Sequence, residues 1–431
     1  MYFMTTQNKK DDEWRSVLRN LGTSIRRRLS FNKYNAKYIS ILKMFFMNIQ
    51  KAHESYRKHK RSINMNHEYI ESNSQISQVV EKMSNKYFAE SIESYIMEKT
   101  EMKSSYTMHV HDKTIVVHFY TFSHHTKSDR KYKTLLQSYV KKIYTWFYII
   151  LLYTKTSISA CKTLNLEIFL TPFAKVLPKS NIDILGPYHV NSGFTYGCEQ
   201  DSTIYIYREE EWFKVLCHET FHNLHLDFHT MNMGEVQHLL QRIFPIKTEL
   251  LLYESYCEFW ATIWNTIYFV YDDITVHSNN SHITFDTFSS GYFKAIESEK
   301  LFSCFQAAKV MIHNGLNYQT FISKNISETS KRVYREKSNV FAYYVIKSMF
   351  LYHDGNFIDL LNDTNKNIMH FESSYYNMRE ICQFVEKFHN NRDFIETISL
   401  FERILFYFTE TEEHQKQQNN IYTTMRMTLH S

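Results

Sequence analysis

Glycine and proline are scarce in this 431-residue chain, eight and four in number, and half of them fall within residues 172–197. Elsewhere the backbone is built from residues that favour ordinary helix and strand dihedrals. Pro172, Pro178, Gly186, Pro187, Gly193 and Gly197 therefore mark one stretch where the backbone needs unusual dihedrals or a close approach. Loops of that kind often shape a site. The accompanying abundance of Tyr, Phe, Ile, Asn and Lys is what an AT-rich genome encodes, so part of the skew reflects codon supply.

On either side of this stretch the periodicity changes in an ordered way. Helical spacing runs over about 12–104, with Ile39, Leu42, Met44, Phe45 and Ile49 on one face. From Tyr106 the pattern alternates: 108–111, a polar Asp112-Lys113 turn, and 115–120 predict a β-hairpin. A helix is predicted over 128–155 and a half-buried strand over 164–170. A short strand at 204–207 leads into a helix over roughly 209–226. Helical signals resume after Pro245, at about 247–271, 292–314, 331–352 and 373–408, with polar breaks near 274–291, 315–330 and 354–370. The expected fold class is α+β within a mainly helical protein. Three regions are expected: 1–104 helical, 105–230 carrying the sheet, and 231–431 helical.

Composition bounds the function classes. With 43% apolar and 16% aromatic residues the chain can bury a sizeable core and is not a disordered polypeptide. The longest apolar run, from Trp146 to Tyr153, is far short of the ~20 residues that cross a bilayer. No apolar stretch follows a basic one at the start, and the six cysteines show no C-x-x-C spacing. The expectation is a soluble intracellular protein with free thiols. Residues 1–30 hold two Lys and five Arg against two Asp and one Glu, a net of +4 centred on Arg26-Arg27-Arg28. Such a basic arm can touch nucleic acid or a membrane surface. Without an aromatic platform or nucleic-acid motif beside it, it reads better as the solvated face of a helix.

The chemistry concentrates at His218-Glu219-Thr220-Phe221-His222. On a helix, residues four apart lie about 40° around the axis and ~6 Å apart, so both imidazoles face one point. Zn²⁺ accepts two such nitrogens and, for catalysis, needs a third protein ligand and an open position. Glu219, one residue past the first His, is rotated off the metal and placed to act as a general base on water. Chance alone can supply H-E-x-x-H, so its context matters. A strand precedes the helix, and Trp212, Val215, Leu216 and Phe221 can pack it.

The next long helix offers Glu254 and Glu258 one turn apart, ringed by Tyr253, Tyr256, Phe259, Trp260 and Ile263. Glu254 is the favoured third ligand and Glu258 its support; the reverse assignment and an exposed acidic face stay open. Glu249 lies on another face. The pattern H-E-x-x-H-x-x-G-x-x-H requires Gly at 225 and His at 228, where His225 and Phe228 stand, and Asp227 is one position off the variant with an Asp ligand. Cys217 and Cys257 read as packing thiols. His109, His111, His118, His124 and His125 read as incidental in a chain with 22 histidines.

A helix bearing H-E-x-x-H followed by a later helix bearing Glu-x-x-x-Glu resembles the gluzincin branch of the zincin metallopeptidases. The element order over 106–226 is similar to the zincin upper subdomain, a small twisted sheet underlain by the active-site helix. Several stretches also resemble metallopeptidase-like proteins of nucleocytoplasmic large DNA viruses: N-S-G-F-T at 191–195, K-V-L-C-H-E-T-F-H-N-L at 214–224, Y-E-S-Y-C-E-F-W-A at 253–261, N-V-F-A-Y-Y-V-I-K at 339–347 and T-M-R-M at 424–427. The likeness spans about 100–431.

The resemblance implies one Zn²⁺ per chain held by His218, His222 and Glu254, with Glu258 in support and Glu219 as the general base of peptide hydrolysis. It further implies an edge strand at Asn191, Ser192, Gly193, Phe194 and Thr195 that holds a peptide or protein substrate. Tyr343, Tyr344 or Arg426 would donate to the oxyanion. The expected location is the host cytoplasm, in viral factories, or the virion. Two departures from better-known gluzincins stand out: Glu258 occupies a position where Asp is common, and the interval from His222 to Glu254 is long. The competing reading is a virion or scaffold protein that keeps the fold without turnover.

Overall fold

The computed structural model describes residues 12–19, 34–83, 88–122, 129–154, 161–197, 201–277, 283–323, 333–409 and 421–430. It is an α+β structure in two compact units, one made of residues 40–174 and 191–229, the other of residues 1–39, 175–190 and 230–431. The expectation of three consecutive regions is corrected on this point. Residues 40–104 belong with the sheet, and the division falls inside the first long helix, α1 (Ala36–His59). The Arg26–Arg28 arm and His124 and His125 lie outside the described residues.

The α/β unit is organised by one six-stranded mixed sheet. Its strands are β1 (Asn64–Tyr69), β2 (Thr100–Val110), β3 (Lys113–Phe122), β4 (Thr163–Phe169), β5 (Gly193–Thr195) and β6 (Asp201–Ile206), in the order β1-β2-β3-β4-β6-β5. β3, β4 and β6 run parallel; β1, β2 and β5 are antiparallel to their neighbours. β1 falls inside the stretch read as helical, because its NMNHEY sequence is almost wholly exposed and carries no apolar alternation.

Alternation along the strands gives the sheet two apolar faces. Tyr120, Phe122, Phe169, Phe194, Tyr205 and Tyr207 form one cluster with Ile76, Val80 and Met83 of α2 (Ser74–Met83) and Ile92 and Ile96 of α3 (Glu90–Lys99). The intervening positions, among them Val117, Phe119, Leu166, Ile168, Ile204 and Ile206, are buried as well. On that side Phe119 meets Tyr139 of α4 (Asp129–Ile150), ring centroids 6.1 Å apart. Helix α5 (Trp212–Asn223) is tied to α4 by Trp146 Nε1, which donates to Thr220 Oγ1 at 3.1 Å.

In the helical unit, α6 (Gly234–Ile243), α7 (Leu252–His277), α8 (Phe285–His313), α9 (Lys347–Tyr352), α10 (Asp354–Thr364), α11 (Tyr375–Phe388) and α12 (Arg392–Thr409) surround a second core. α7 is apolar on nearly every side, as a central helix must be. The helix expected over 373–408 is in fact two, α11 and α12, because Asn391 Oδ1 accepts the Phe394 N–H at 3.1 Å and caps a new start. α10 occupies part of what read as a polar break.

Segment 421–430 is the least expected part of this core. Its main chain pairs antiparallel with residues 175–177, the Leu177 N–H reaching the Thr423 carbonyl at 2.7 Å and the Met425 N–H the Lys175 carbonyl at 2.8 Å, and buried side chains hold the rest. Lys309 Nζ donates to the carbonyls of Ile421 (2.9 Å) and Thr424 (2.6 Å), and Lys347 Nζ to that of Met427 (2.6 Å). Glu299 accepts the N–H groups of Leu429 and His430. Among the described residues, no helix is long and apolar enough to cross a membrane. Cys161 is disulfide-bonded, which corrects the expectation of free thiols throughout. Pairing depends on which Cβ atoms the tertiary structure brings together, and sequence spacing does not reveal that. Cys217, Cys257, Cys304 and Cys382 are free and buried.

Candidate metal centre

Eleven of the twelve residues of α5 are buried, so its polar side chains are there by requirement. His218 and Glu219 are 6% and 7% exposed. One turn on, His222 brings its Nε2 to 3.0 Å from Nε2 of His218. Two nitrogens bound tetrahedrally at ~2.0–2.1 Å stand ~3.3 Å apart, so this pair needs only a slight opening to accept zinc. The two imidazoles could therefore share a metal ion.

Strand β5 forms the edge of the sheet and lies against α5. A Cβ at Gly193 would stand 2.7 Å from the Tyr205 carbonyl oxygen, 2.8 Å from Val215 Cγ1 and 3.4 Å from Glu219 Cγ. At Gly197 it would stand 2.6 Å from Cε1 of His225. Both glycines thus serve close approach, one of the two roles the sequence allowed. Asn223, directly after the motif, fastens the strand to the helix: its Nδ2 donates to Thr195 Oγ1 at 2.8 Å, to the Tyr196 carbonyl at 3.2 Å and to Ser202 Oγ. Arg208, fully buried, donates to the carbonyls of Asn191 and Ala174 at 3.0 Å each. Gly193 therefore lies beside Glu219, while Asn223 holds the segment at Thr195 and Arg208 holds it at Asn191. Neither holder carried a sequence signal of its own.

Helix α5 ends in a Schellman turn. The Leu226 N–H reaches the Phe221 carbonyl at 2.9 Å and the His225 N–H the His222 carbonyl at 3.1 Å, while His225 takes φ +50°. Position 225 is the one the glycine-containing pattern reserves for Gly; here His adopts the same left-handed turn. The turn sends the chain back, so that buried Asp227 meets His222 Nδ1 at 2.5 Å and His229 Nδ1 at 2.5 Å. Burial alone would raise the Asp227 carboxyl, but the two imidazoles outweigh it and hold it well below the usual carboxylate range. His222, Asp227 and His229 form a cluster of metal-capable side chains within this unit. Sequence spacing had set Asp227 aside.

The remaining candidates lie on the helical unit. Glu254, half-buried in the first turn of α7, accepts from Asn339 Nδ2 at 3.1 Å; Glu258, one turn on, is 2% exposed. Tyr343 and Tyr344 lie in a π-helical turn, Phe341–Ile346, a rare form that recurs at functional sites. Tyr344 directs its only proton to the Met425 carbonyl at 2.5 Å, whereas Tyr343 is half-buried. Arg426 is 4% exposed, and its carbonyl accepts from Gln306. Elsewhere in the α/β unit, His109, His111 and His118 are hydrogen-bonded to Thr114, the Tyr148 carbonyl and Ser105. They take no part in the site. A scan against protein-family models and searches of curated proteins and solved structures found no match for this chain.

Proposed function

We propose that this chain is a zinc-dependent peptide hydrolase of gluzincin type, related to the metallopeptidase-like proteins of nucleocytoplasmic large DNA viruses. In this reading it binds one Zn²⁺ and acts in the host cytoplasm or the virion. The observation that carries it is the pairing of His218 and His222 at 3.0 Å on a buried helix, with Glu219 between them beside an edge strand.

His218 and His222 would hold the metal through Nε2, with Glu254 as third ligand and Glu258 in support. Zinc, when bound, supplies a Lewis acid that lowers the pKa of a water toward ~7. Glu219 takes that water's proton and later delivers it to the leaving amine. Asn191–Thr195 hold the substrate by strand addition, their main-chain groups pairing with an extended peptide. Tyr343 or Arg426 would donate to the developing oxyanion; Tyr344 would first have to release Met425.

Elemental analysis of the purified chain should find about one zinc per molecule, lost in His218→Ala and in His222→Ala. Glu219→Gln should keep zinc and lose peptide cleavage by at least ~10²-fold; cleavage at the wild-type rate would sink the mechanism. Zinc bound by a wild-type chain that cuts nothing in a broad peptide library would point instead to the silent scaffold. Zinc occupancy in separate Glu254→Gln and Glu258→Gln variants decides which carboxylate ligates.

A further inference from the structure

A metal-binding imidazole must offer a lone pair on one nitrogen, and the hydrogen bond made by the other nitrogen decides which one. His222 meets Asp227 Oδ2 through Nδ1, and a carboxylate at this site only accepts. As a neutral ring, His222 would then carry its proton on Nδ1 and turn the lone pair of Nε2 toward His218, 3.0 Å away. The second oxygen of Asp227 is occupied as well. Oδ1 accepts from His229 Nδ1 at 2.5 Å and lies 3.4 Å from the His229 main-chain nitrogen. His229, with 28% of its side chain exposed, stacks on His225, the residue whose left-handed turn makes the return possible. The contacts run in the order His225, His229, Asp227, His222.

We propose that Asp227 and His229 form a positioning arm for His222. Asp227 fixes the tautomer and ring orientation of His222, and His229 fixes Asp227. Retention of metal at His222 is thereby set in part by His229, a half-exposed residue that does not touch the metal. The proposal rests on the reading of His218 and His222 as zinc ligands. It is distinct from the hydrolytic step and from the choice of third ligand.

The test uses the full chain and measures zinc affinity by competition with a chromophoric chelator, together with the coordination shell by X-ray absorption. Asp227→Asn should weaken zinc binding by about 10–100-fold with the number and type of coordinating atoms unchanged. His229→Ala should weaken it in the same direction by less, His229→Asn should restore it by keeping a donor, and His229→Ala should add little in the Asp227→Asn background. Wild-type affinity in both single variants would overturn the arm. Loss of an oxygen ligand in Asp227→Asn would overturn it too, by making Asp227 a ligand. Should Asp227→Asn not fold, the His229 pair alone decides. If the wild type binds no zinc, the metal reading fails, but the arm is still decided by ¹⁵N NMR of the metal-free chain. A fixed Nδ1–H tautomer of His222 in the wild type that becomes mixed in His229→Ala sustains the arm; identical spectra remove it.

Discussion

Gly193 shows how a single residue type is dictated by tertiary contact. Its φ is not left-handed, so conformational freedom is not what selects it; the space between Tyr205, Val215 and Glu219 is. Any Cβ there presses on the Tyr205 main-chain oxygen, which cannot swing aside as a flexible side chain would. Gly193→Ala should displace β5 from α5 and lower the stability of the α/β unit by ~1–3 kcal/mol, read by thermal melting. Under the proposed function, zinc bound through His218 and His222 would persist while peptide turnover falls. A wild-type melting curve together with wild-type turnover would show that the close approach is dispensable.

At the scale of elements, buried polar side chains hold pieces of the helical unit together, and one of them makes that unit sensitive to pH. Glu402 of α12 accepts hydrogen bonds from the Tyr318 N–H at 2.7 Å and from Asn317 Nδ2. Burial raises its carboxyl to about 7, only partly offset by the bond from the Tyr318 N–H. Because the folded value lies above the unfolded one, the folded form binds the proton more tightly. Its contribution to stability is complete below about 4.5 and is lost as pH rises through about 7. Melting temperature followed from pH 4 to 8 should therefore show a decline that is shallower in Glu402→Gln. Parallel curves would assign the decline to other groups.

At the scale of the molecule, each unit has its own core, and segment 421–430 is built into that of the helical one. Met425 is fully buried there, and the main chain around it is satisfied by Lys309, Tyr344 and Gln306. Met425→Ala should cost ~2–5 kcal/mol. Amide hydrogen exchange in α7 and α8 should quicken while β3 and β4 stay at their wild-type rates. Faster exchange in β3 and β4 as well would show that the two cores unfold as one.

What could be read in advance divides along a physical line. Strands β2, β3, β4 and β6 and helices α4, α5, α7 and α8 were legible because alternation and 3.6-residue spacing are local properties of a chain that buries one face. The pairing of His218 with His222 was legible because a helix sets it without help from the rest of the fold. α6 and α10 were passed over, although Val236, Leu239, Leu240 and Ile243 of α6 recur at helical spacing. β1 was not legible, since an exposed strand leaves little apolar alternation. Nor were the Cys161 disulfide, Asn223 and Arg208 as the holders of the edge strand, or the reach of Asp227 to His222. Spacing that excludes Asp227 from one ligand pattern says nothing about a left-handed turn at His225 that carries it back. The sequence by itself determined the helix, its two histidines and the carboxylate between them. How the edge strand is fastened against them, which groups orient them and how residues 421–430 are buried were decided only by the tertiary structure, because those contacts join residues whose separation along the chain carries no periodic signal.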